Sequence, residues 1–511
     1  MNPIELNLFS SRLESICEQM GEVLRNAAFS PNIRDRLDFS CAIFDAQGEL
    51  SAQAAHIPVH LGSMAYAMSS VVSQVEWHEG DQVILNDPYL GGTHLPDVTL
   101  VAPVYVDGKL TAFVVNRAHH ADIGADTPGS MPVSSSLAEE GLVIPPTHYH
   151  RQGLPNRAFI DALFQQLNGE QAGGDFAAQT SANLFAVDAL AALIISMGRD
   201  RYLSGLAYLN DYGQRLASTA ISAIPEGIYV FEDVMDDDGQ HNHAIKICMT
   251  LTVKQGGVLA DFSGTARQVP GNINCPLSVA AAGVFFAFRC LMPAQTPACS
   301  GVLRNIEITA PEGCLVNALY PAAVAAGNVE TSTRVVDVTL GALAQAIPEK
   351  IPAASHGSMN NVAMGSNESA CQWNYYETIG GGMGAGASGG GLSAVQTHMT
   401  NTLNTPIEVL ESSYPLLIRK YALRHGSGGE GRRNGGDGIV RSFEFLNGAL
   451  LSVLTERRHI APWGSEGGTD GQTGLNLLND KKMPAKFQAS VSQGDVLEIQ
   501  TPGGGGYQSG E

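Results

Sequence analysis

The sequence predicts an α+β, multi-domain protein that mixes helices and antiparallel sheets with glycine-rich loops. Three observations carry this expectation. Apolar residues recur at helical spacing through much of the chain before residue 223, the pattern turns strand-like from Gly227, and many of the 57 glycines lie between residues 380 and 506. A chain of 511 residues can bury more than one core. It divides into residues 1–155, organised round a hairpin with metal-type side chains, residues 156–225, helical, and residues 226–511, rich in strands and glycine loops.

The elements follow in order. Asn2 before Pro3 reads as an N-cap with proline at the first helical position, and Leu13, Ile16, Cys17, Met20, Val23, Leu24 and Ala27 form one apolar stripe behind it. Asp38 enters the apolar run Phe39–Phe44, which Asp45-Ala-Gln-Gly48 turns into Glu49–Ala54 as a hairpin; Asp38 itself suits a solvated turn or a cap as well as a site. His56 and His60 are four residues apart, but Pro58 between them and Gly62 after them predict a loop, with a helix only from Ser63 to Val75. A substrate-facing or packing role for this pair is favoured over ligation. Ala182–Met197 and Tyr202–Ile221 read as packed helices, and Ile228–Val234, Ala244–Val253 and Val258–Phe262 as strands. Asp236-Asp-Asp-Gly239 lacks the alternating oxygen ligands of a calcium loop and reads as a hairpin tip. A helix over 278–292, a strand over Val302–Ala310 and a helix through Ala346 come next.

Composition narrows the function. A hydrophobic content of 44% fits a soluble globular chain, and a formal net charge of −21 argues against a general nucleic-acid binder. Eight cysteines without a CxxC pair suit the reduced thiols of a cytoplasmic protein, not a disulfide framework or zinc ribbon. MNPIEL has neither region of a signal peptide. The most apolar window, Ser278 to Met292, contains Arg289 and is shorter than the roughly 18–20 residues a bilayer span needs. No membrane role is expected.

Chemistry concentrates between Val83 and Asp126. Asp107-Gly108 between two β-prone runs is a strong hairpin signal, because both central residues must take positive φ. Asp87, His94 and Asp97 precede the first strand; His119, His120 and Asp122 follow the second. If Val106 pairs with Lys109, Pro96 falls opposite His119 and Leu95 opposite His120. Imidazole and carboxylate together suit Mn, Fe or Zn, and an open coordination position would serve hydrolysis. The competing reading is a set of hydrogen-bonded core or turn histidines. Ideal alternation puts His94 and His119 on one face and Asp97 with His120 on the other, so spacing does not choose between His119 and His120.

Within GGGMGAGASGGG, Gly384, Gly386 and Gly389 have dinucleotide-loop spacing, and Ser388 has nucleophile-elbow spacing. Such matches arise by chance in a run this rich in glycine. The sequence has no GxxxxGK[ST], so any ATP it uses is not held by a Walker loop.

SPNIRDRLDFS, HIPVHLGSM, LNDPYLGGTHLPD, NRAHHADIG, DFSGTARQVPGNIN, GNVETS, YYETIGGGMGAG, THMTNTLNTPIEVLE, RRNGGDGIVR, RHIAPWGSEGG and TPGGGGY occur in one order over nearly the whole chain. In these stretches the sequence resembles the hydantoinase B/oxoprolinase family, which includes B-type subunits of ATP-dependent N-methylhydantoinases, the C-terminal half of 5-oxoprolinases, and relatives in caprolactamase and the acetone and acetophenone carboxylases. The resemblance implies a metal-bearing B-type subunit of an ATP-dependent cyclic-amide hydrolase, opening a hydantoin, 5-oxoproline or lactam ring. A separate A-type subunit would bind ATP-Mg and phosphorylate the substrate carbonyl oxygen, in an α2β2 or larger assembly. Carried onto this sequence, the family's metal ligands are Asp38, His94, Asp97 and His119, with His120 and Asp122 as supporting catalytic groups. Two other readings accompany this one: a carboxylase subunit, in which the same site positions a carboxyl acceptor or bicarbonate, and a non-catalytic scaffold with a structural metal.

Overall fold

The protein is described by a computed structural model, which covers every residue except 55, 168–169, 367–371 and 511. Helix α1 (Pro3–Ala27) starts with a capping box: the Glu5 amide donates to the Asn2 side chain at 2.9 Å, and the Asn2 amide donates to the Glu5 carboxylate at 3.0 Å. A short turn of helix, α2 (Pro31–Arg34), leads into β1 (Phe39–Asp45) and β2 (Leu50–Gln53), the expected hairpin. Helix α3 spans Pro58–Ser73. Pro58 sits in its first turn, where a missing amide hydrogen costs nothing, so the stretch with His60 and Gly62 is helix and not the expected loop.

Strands β3 (Gln82–Leu85), β4 (Asp97–Val106), β5 (Lys109–His119), β6 (Thr147–Arg151) and β7 (Leu154–Pro155) complete an antiparallel seven-stranded sheet, in the order β2-β1-β5-β4-β3-β6-β7. Helices α4 (Arg157–Gln166), α5 (Glu170–Met197) and α6 (Arg199–Ser222) follow. Two layers enclose the sheet. On one face Leu61, Met64, Met68 and Val71 of α3 pack on Ala42, Phe44, Val101, Phe113 and Val115; on the other, α1 and α5 bury Leu13, Met20, Ala178, Ala182 and Ala186 with Val104, Val114 and Ala118. Among the described residues one segment, Gly173–Met197, is long and apolar enough to cross a membrane, with a mean hydropathy of 1.6. One of its faces lies in this core through Ala178, Ala182, Ala186, Leu190 and Ile194.

The hairpin of β4 and β5 turns through Asp107 and Gly108 at φ values of 52° and 70°, as its sequence requires. Its register differs from expectation. Val106 pairs with Lys109 and Tyr105 with Leu110, but Val104 pairs with Ala112, so Thr111 is an extra residue in a β-bulge. Beyond the bulge every pair moves by one, and Asp97, not Pro96, stands opposite His119.

Strands β8 (Gly227–Asp237), β9 (His243–Lys254), β10 (Gly257–Asp261) and β11 (Ile306–Thr309) form a second sheet, with a parallel β10/β11 pair. The expected strand from Val302 begins only at Ile306, because Ser300–Leu303 is a 3-10 turn. The acidic Asp236–Asp238 run forms the end of the β8/β9 hairpin, as expected. Helix α7 (Leu277–Leu291) packs on α3, and a π-turn at Gly327–Thr331 continues into α8 (Ser332–Ala344). Strands β12 (Asn361–Ser366) and β13 (Trp373–Glu377), the helix α9 (Ile407–Ser413), β14 (Leu416–Arg424), β15 (Gly438–Phe445), β16 (Ala449–Leu454), β17 (Leu475–Leu478), β18 (Lys481–Met483), β19 (Lys486–Val491) and β20 (Val496–Gln500) make two further sheets, β13-β12-β16-β19 and β14-β15-β20-β17-β18.

No helix begins between the 380–391 glycine run and Ile407, so neither nucleotide-loop nor nucleophile-elbow geometry forms there. The glycines serve close packing of backbones instead. A Cβ at Gly384 would lie 1.8 Å from the Ala353 carbonyl oxygen. The seven described cysteines are unpaired, and Cys371 lies outside the described residues.

Candidate metal centre

The shifted register builds the site. The His119 amide donates to the Asp38 carbonyl at 3.0 Å, and Asp97 is the cross-strand partner of His119. Asp38, His119 and Asp97 therefore form one rung across the ends of β1, β5 and β4. Residues directly opposite share a sheet face, and here that is the face covered by α3. His94 approaches from the loop before β4. Its Nε2 lies 3.0 Å from Asp97 Oδ1, and His119 Nδ1 lies 3.2 Å from the same oxygen. The potential ligand atoms of His94, Asp97 and His119 all fall within 4.8 Å of one another. Asp38 is the next acidic group, its Oδ1 4.0 Å from His60 Nε2 and its Oδ2 3.9 Å from Arg36.

The donor set suits a divalent cation. His94 Nδ1 is 3.2 Å from the Ala325 carbonyl oxygen, which only accepts, so the ring proton belongs on Nδ1. Nε2 then turns a lone pair toward a carboxylate oxygen, with no hydrogen bond between the two acceptors. His119 Nε2 is likewise buried without a partner. Each unsatisfied buried polar atom costs about 1–3 kcal/mol, and a cation among them would remove the cost. Burial works against the Asp97 carboxylate, but positive charge on His60 and His94 outweighs it and holds its pKa well below the usual range. Asp97, against burial, raises the pKa of His94 in turn, so the two facing atoms call for a shared cation, a proton or a metal ion. Burial lowers the pKa of His119 against the pull of Asp97, which favours the neutral, ligating ring.

His120 points to the opposite face. Its Nε2 lies 2.8 Å from Gln179 Oε1 on α5, and its ring packs on Phe176. Asp122 accepts the Gly124 amide at 2.8 Å in the turn beyond β5. His56 accepts the Cys41 amide and packs edge-on against Phe39. Four further groups meet the cluster, of which local sequence singled out only His60, and that for a substrate-facing or packing role. His60 Nε2 lies 3.1 Å from Asp97 Oδ2, Thr93 Oγ1 donates to that oxygen at 2.7 Å, and Asn328 Nδ2 donates to it at 3.1 Å. Tyr376 stacks on the His119 ring at 4.6 Å and 13°, and its hydroxyl donates to Asn361 Oδ1 at 2.6 Å. Thr93, Asn328 and Tyr376 had their sequence signal only in LNDPYLGGTHLPD, GNVETS and YYET, as pieces of the family pattern.

Known proteins give this arrangement a context. A profile described as hydantoinase B/oxoprolinase matches residues 2–509. The chain is 38% identical to 5-oxoprolinase 1 of Arabidopsis thaliana over 99% of its own length but 42% of that protein, so it spans about two fifths of this relative. It is 30% identical to a Pseudomonas sp. chain provisionally named as the B-type subunit of a D-/L-hydantoinase, covering 99% of this chain and 90% of that one. Among solved structures, the ATP-dependent caprolactamase of Pseudomonas jessenii superposes with a TM-score of 0.92 at 26% identity, covering 100% of this chain and 91% of the other. With a family profile spanning nearly every residue, the chain belongs to the hydantoinase B/oxoprolinase family.

Proposed function

We propose that this chain is the metal-bearing B-type subunit of an ATP-dependent cyclic-amide hydrolase, opening a hydantoin-, 5-oxoproline- or lactam-type ring together with an A-type subunit that binds ATP-Mg. The observation that carries the reading is the His94–Asp97–His119 cluster, in which His94 Nε2 faces a carboxylate oxygen and both His94 Nε2 and His119 Nε2 are buried without partners among the described residues. The hydantoinase relative from Pseudomonas and the caprolactamase superposition support the substrate class.

An amide carbon is a poor electrophile, and phosphorylation of its oxygen on the partner would prepare it for attack by water. Asp38, His94, Asp97 and His119 would hold Mn, Zn or Fe. When bound, such a metal would lower the pKa of a water or polarise a substrate oxygen. The chain's own groups set the conditions. His94 and Asp97 have no exposed surface and His119 has 2%, so bulk water is kept from the cluster. Tyr376 and the Ala325 carbonyl fix the two ring planes. His120 and Asp122 support the site indirectly: His120 ties the end of β5 to α5, and Asp122 shapes the turn beyond it.

The test begins with metal analysis of the purified chain, which is expected to carry a divalent metal. It is then assayed with its A-type partner, ATP and a panel of cyclic amides, with and without bicarbonate. Ring opening without bicarbonate is expected; a product that requires bicarbonate would instead make the chain a carboxylase subunit. ATP hydrolysis by this chain alone would overturn the division of labour. His94→Ala is expected to assemble with the partner and lose turnover, and normal turnover would reduce the metal to a structural role.

A further inference from the structure

The two oxygens of Asp97 have different surroundings. Among the described residues Oδ1 is met by the rings of His94 and His119 alone, at 3.0 and 3.2 Å. Oδ2 is met by Thr93 Oγ1 at 2.7 Å, Asn328 Nδ2 at 3.1 Å and His60 Nε2 at 3.1 Å. These groups come from the loop before β4, the π-turn and the first turns of α3. We propose that His60 is a positioning residue that, with Thr93 and Asn328, holds Oδ2 of Asp97 so that the carboxylate offers the metal Oδ1 alone. The inference rests on the metal reading above and adds the residues that set how Asp97 would ligate.

The hydrogen-bond inventory is specific. A carboxylate oxygen only accepts, so Nε2 of His60 carries the proton in this contact, which leaves Nδ1 as the acceptor. Ser40 Oγ lies 3.4 Å from that Nδ1. The same hydroxyl accepts the Ile57 amide at 3.2 Å, which leaves its hydrogen free for the ring. Ser40 is two residues beyond Asp38, and Ile57 is the N-cap of α3, so the start of the helix is tied to the strand that also presents Asp38. His60 is 2% exposed. An imidazole placed there for packing alone would not need its tautomer set at both nitrogens.

The π-turn supplies the third donor. Its extra residue lets Asn328 reach Asp97 while Glu330 turns the other way, accepting the Met359 amide at 3.0 Å and Asn361 Nδ2 at 2.7 Å. A carboxylate can bind a metal through one oxygen or both. Three donors on Oδ2 occupy its lone pairs, so the choice is made by the protein before any ion arrives. Groups that orient a ligand in this way typically change metal affinity by about 10–100-fold when removed.

The experiment uses the full-length chain with Co2+ as probe, its affinity measured by competition with a chelator and its coordination by visible absorption. Gln at position 60 can place an amide donor where Nε2 lies; Ala cannot. His60→Gln is expected to keep affinity within a few-fold of wild type with the same spectrum. His60→Ala is expected to lose about 10–100-fold and to show altered bands as Asp97 becomes free to bind through both oxygens. Thr93→Val and Ser40→Ala test the same set by other routes if His60→Ala does not fold, and both are expected to weaken Co2+ binding. Wild-type affinity and spectrum in His60→Ala, or in both Thr93→Val and Ser40→Ala, would overturn the proposal. So would an equal loss in His60→Gln and His60→Ala, which would make His60 a ligand itself. A wild-type chain that takes up no Co2+ would instead sink the metal reading, a result visible before any variant is compared.

Discussion

Replacing Asp97 by Asn separates the charge of this residue from its shape. In the variant the amide oxygen can take the place of Oδ2 and keep Thr93, Asn328 and His60 as donors. The amide nitrogen then stands where Oδ1 was, 3.0 Å from the unpartnered His94 Nε2, to which it can donate. The metal-free variant should therefore fold about as well as the metal-free wild type, because His94 Nε2 gains a donor while His119 Nδ1 loses the acceptor it faces at 3.2 Å, two opposing changes of about 1 kcal/mol each. Metal binding should fail, because the anionic oxygen between the imidazoles is gone. For a site bathed at 100 times its Kd, bound metal stabilises the native state by about 2.7 kcal/mol, which for a chain of 511 residues corresponds to a melting shift of about 2–3 °C. The assay is a thermal melt with and without chelator, paired with metal content. Wild type should lose about 2–3 °C in chelator, and Asp97→Asn should lose none and melt near chelated wild type. A variant that retains stoichiometric metal and the chelator-dependent shift would refute the assignment of Oδ1 as a ligand.

Three further outcomes follow from the geometry. Deleting Thr111 takes out the unpaired residue and leaves Tyr105↔Leu110 followed directly by Val104↔Ala112, so Asp97 stays opposite His119 and the folded deletion variant should keep its metal; loss of metal with circular dichroism retained would show that the bulge itself, and not the pairing it produces, sets the site. Gly384→Ala pushes a Cβ to 1.8 Å from the Ala353 carbonyl, whereas nothing lies within 4 Å of a Cβ at Gly389. In urea denaturation the first should cost at least about 1–3 kcal/mol and the second about 0.5 or less, and equal effects would argue against backbone packing as the role of this run. Burial, aided by His398, lowers the pKa of His356 to about 3, so its ring is neutral in the fold, whereas unfolding exposes a histidine with a pKa of about 6.5. Its contribution is complete above about pH 6.5 and is lost as pH falls toward 3, with a slope of up to about 1.4 kcal/mol per pH unit. The slope for His356→Asn should be shallower by that amount between pH 6 and 4, and an unchanged slope would mean the ring is charged in the fold.

Local signals in the sequence were read where their physics is local. Asn2, Pro3 and Glu5 make a cap among themselves, Asp107-Gly108 makes its own turn, and the stripe from Leu13 to Leu24 needs only a surface to bury against. The concentration of His and Asp at the feet of one hairpin was also visible, because a tight turn brings its two flanks together whatever surrounds it. The prediction of a loop at His56–Gly62 failed because proline breaks a helix only past its first turn, and the boundary that put Pro58 inside that turn is set by packing of α3 on the sheet and on α7.

What the sequence by itself determined, then, is the set of residue types, the hairpin that carries most of them, and the family pattern that includes Asp38. Tertiary structure decided which of them meet. A single extra residue at Thr111 reverses the facing of everything beyond it, because side chains alternate with a period of two. It puts His119 with Asp97 and sends His120 to α5. The groups that hold Asp97 and His119 in place, His60, Asn328 and Tyr376, come from segments as far as 279 residues beyond Asp97 (376 − 97). No local preference encodes such a meeting. It follows from burying α3, the π-turn and β13 against the end of one sheet, where each donor finds an acceptor that would otherwise be buried alone.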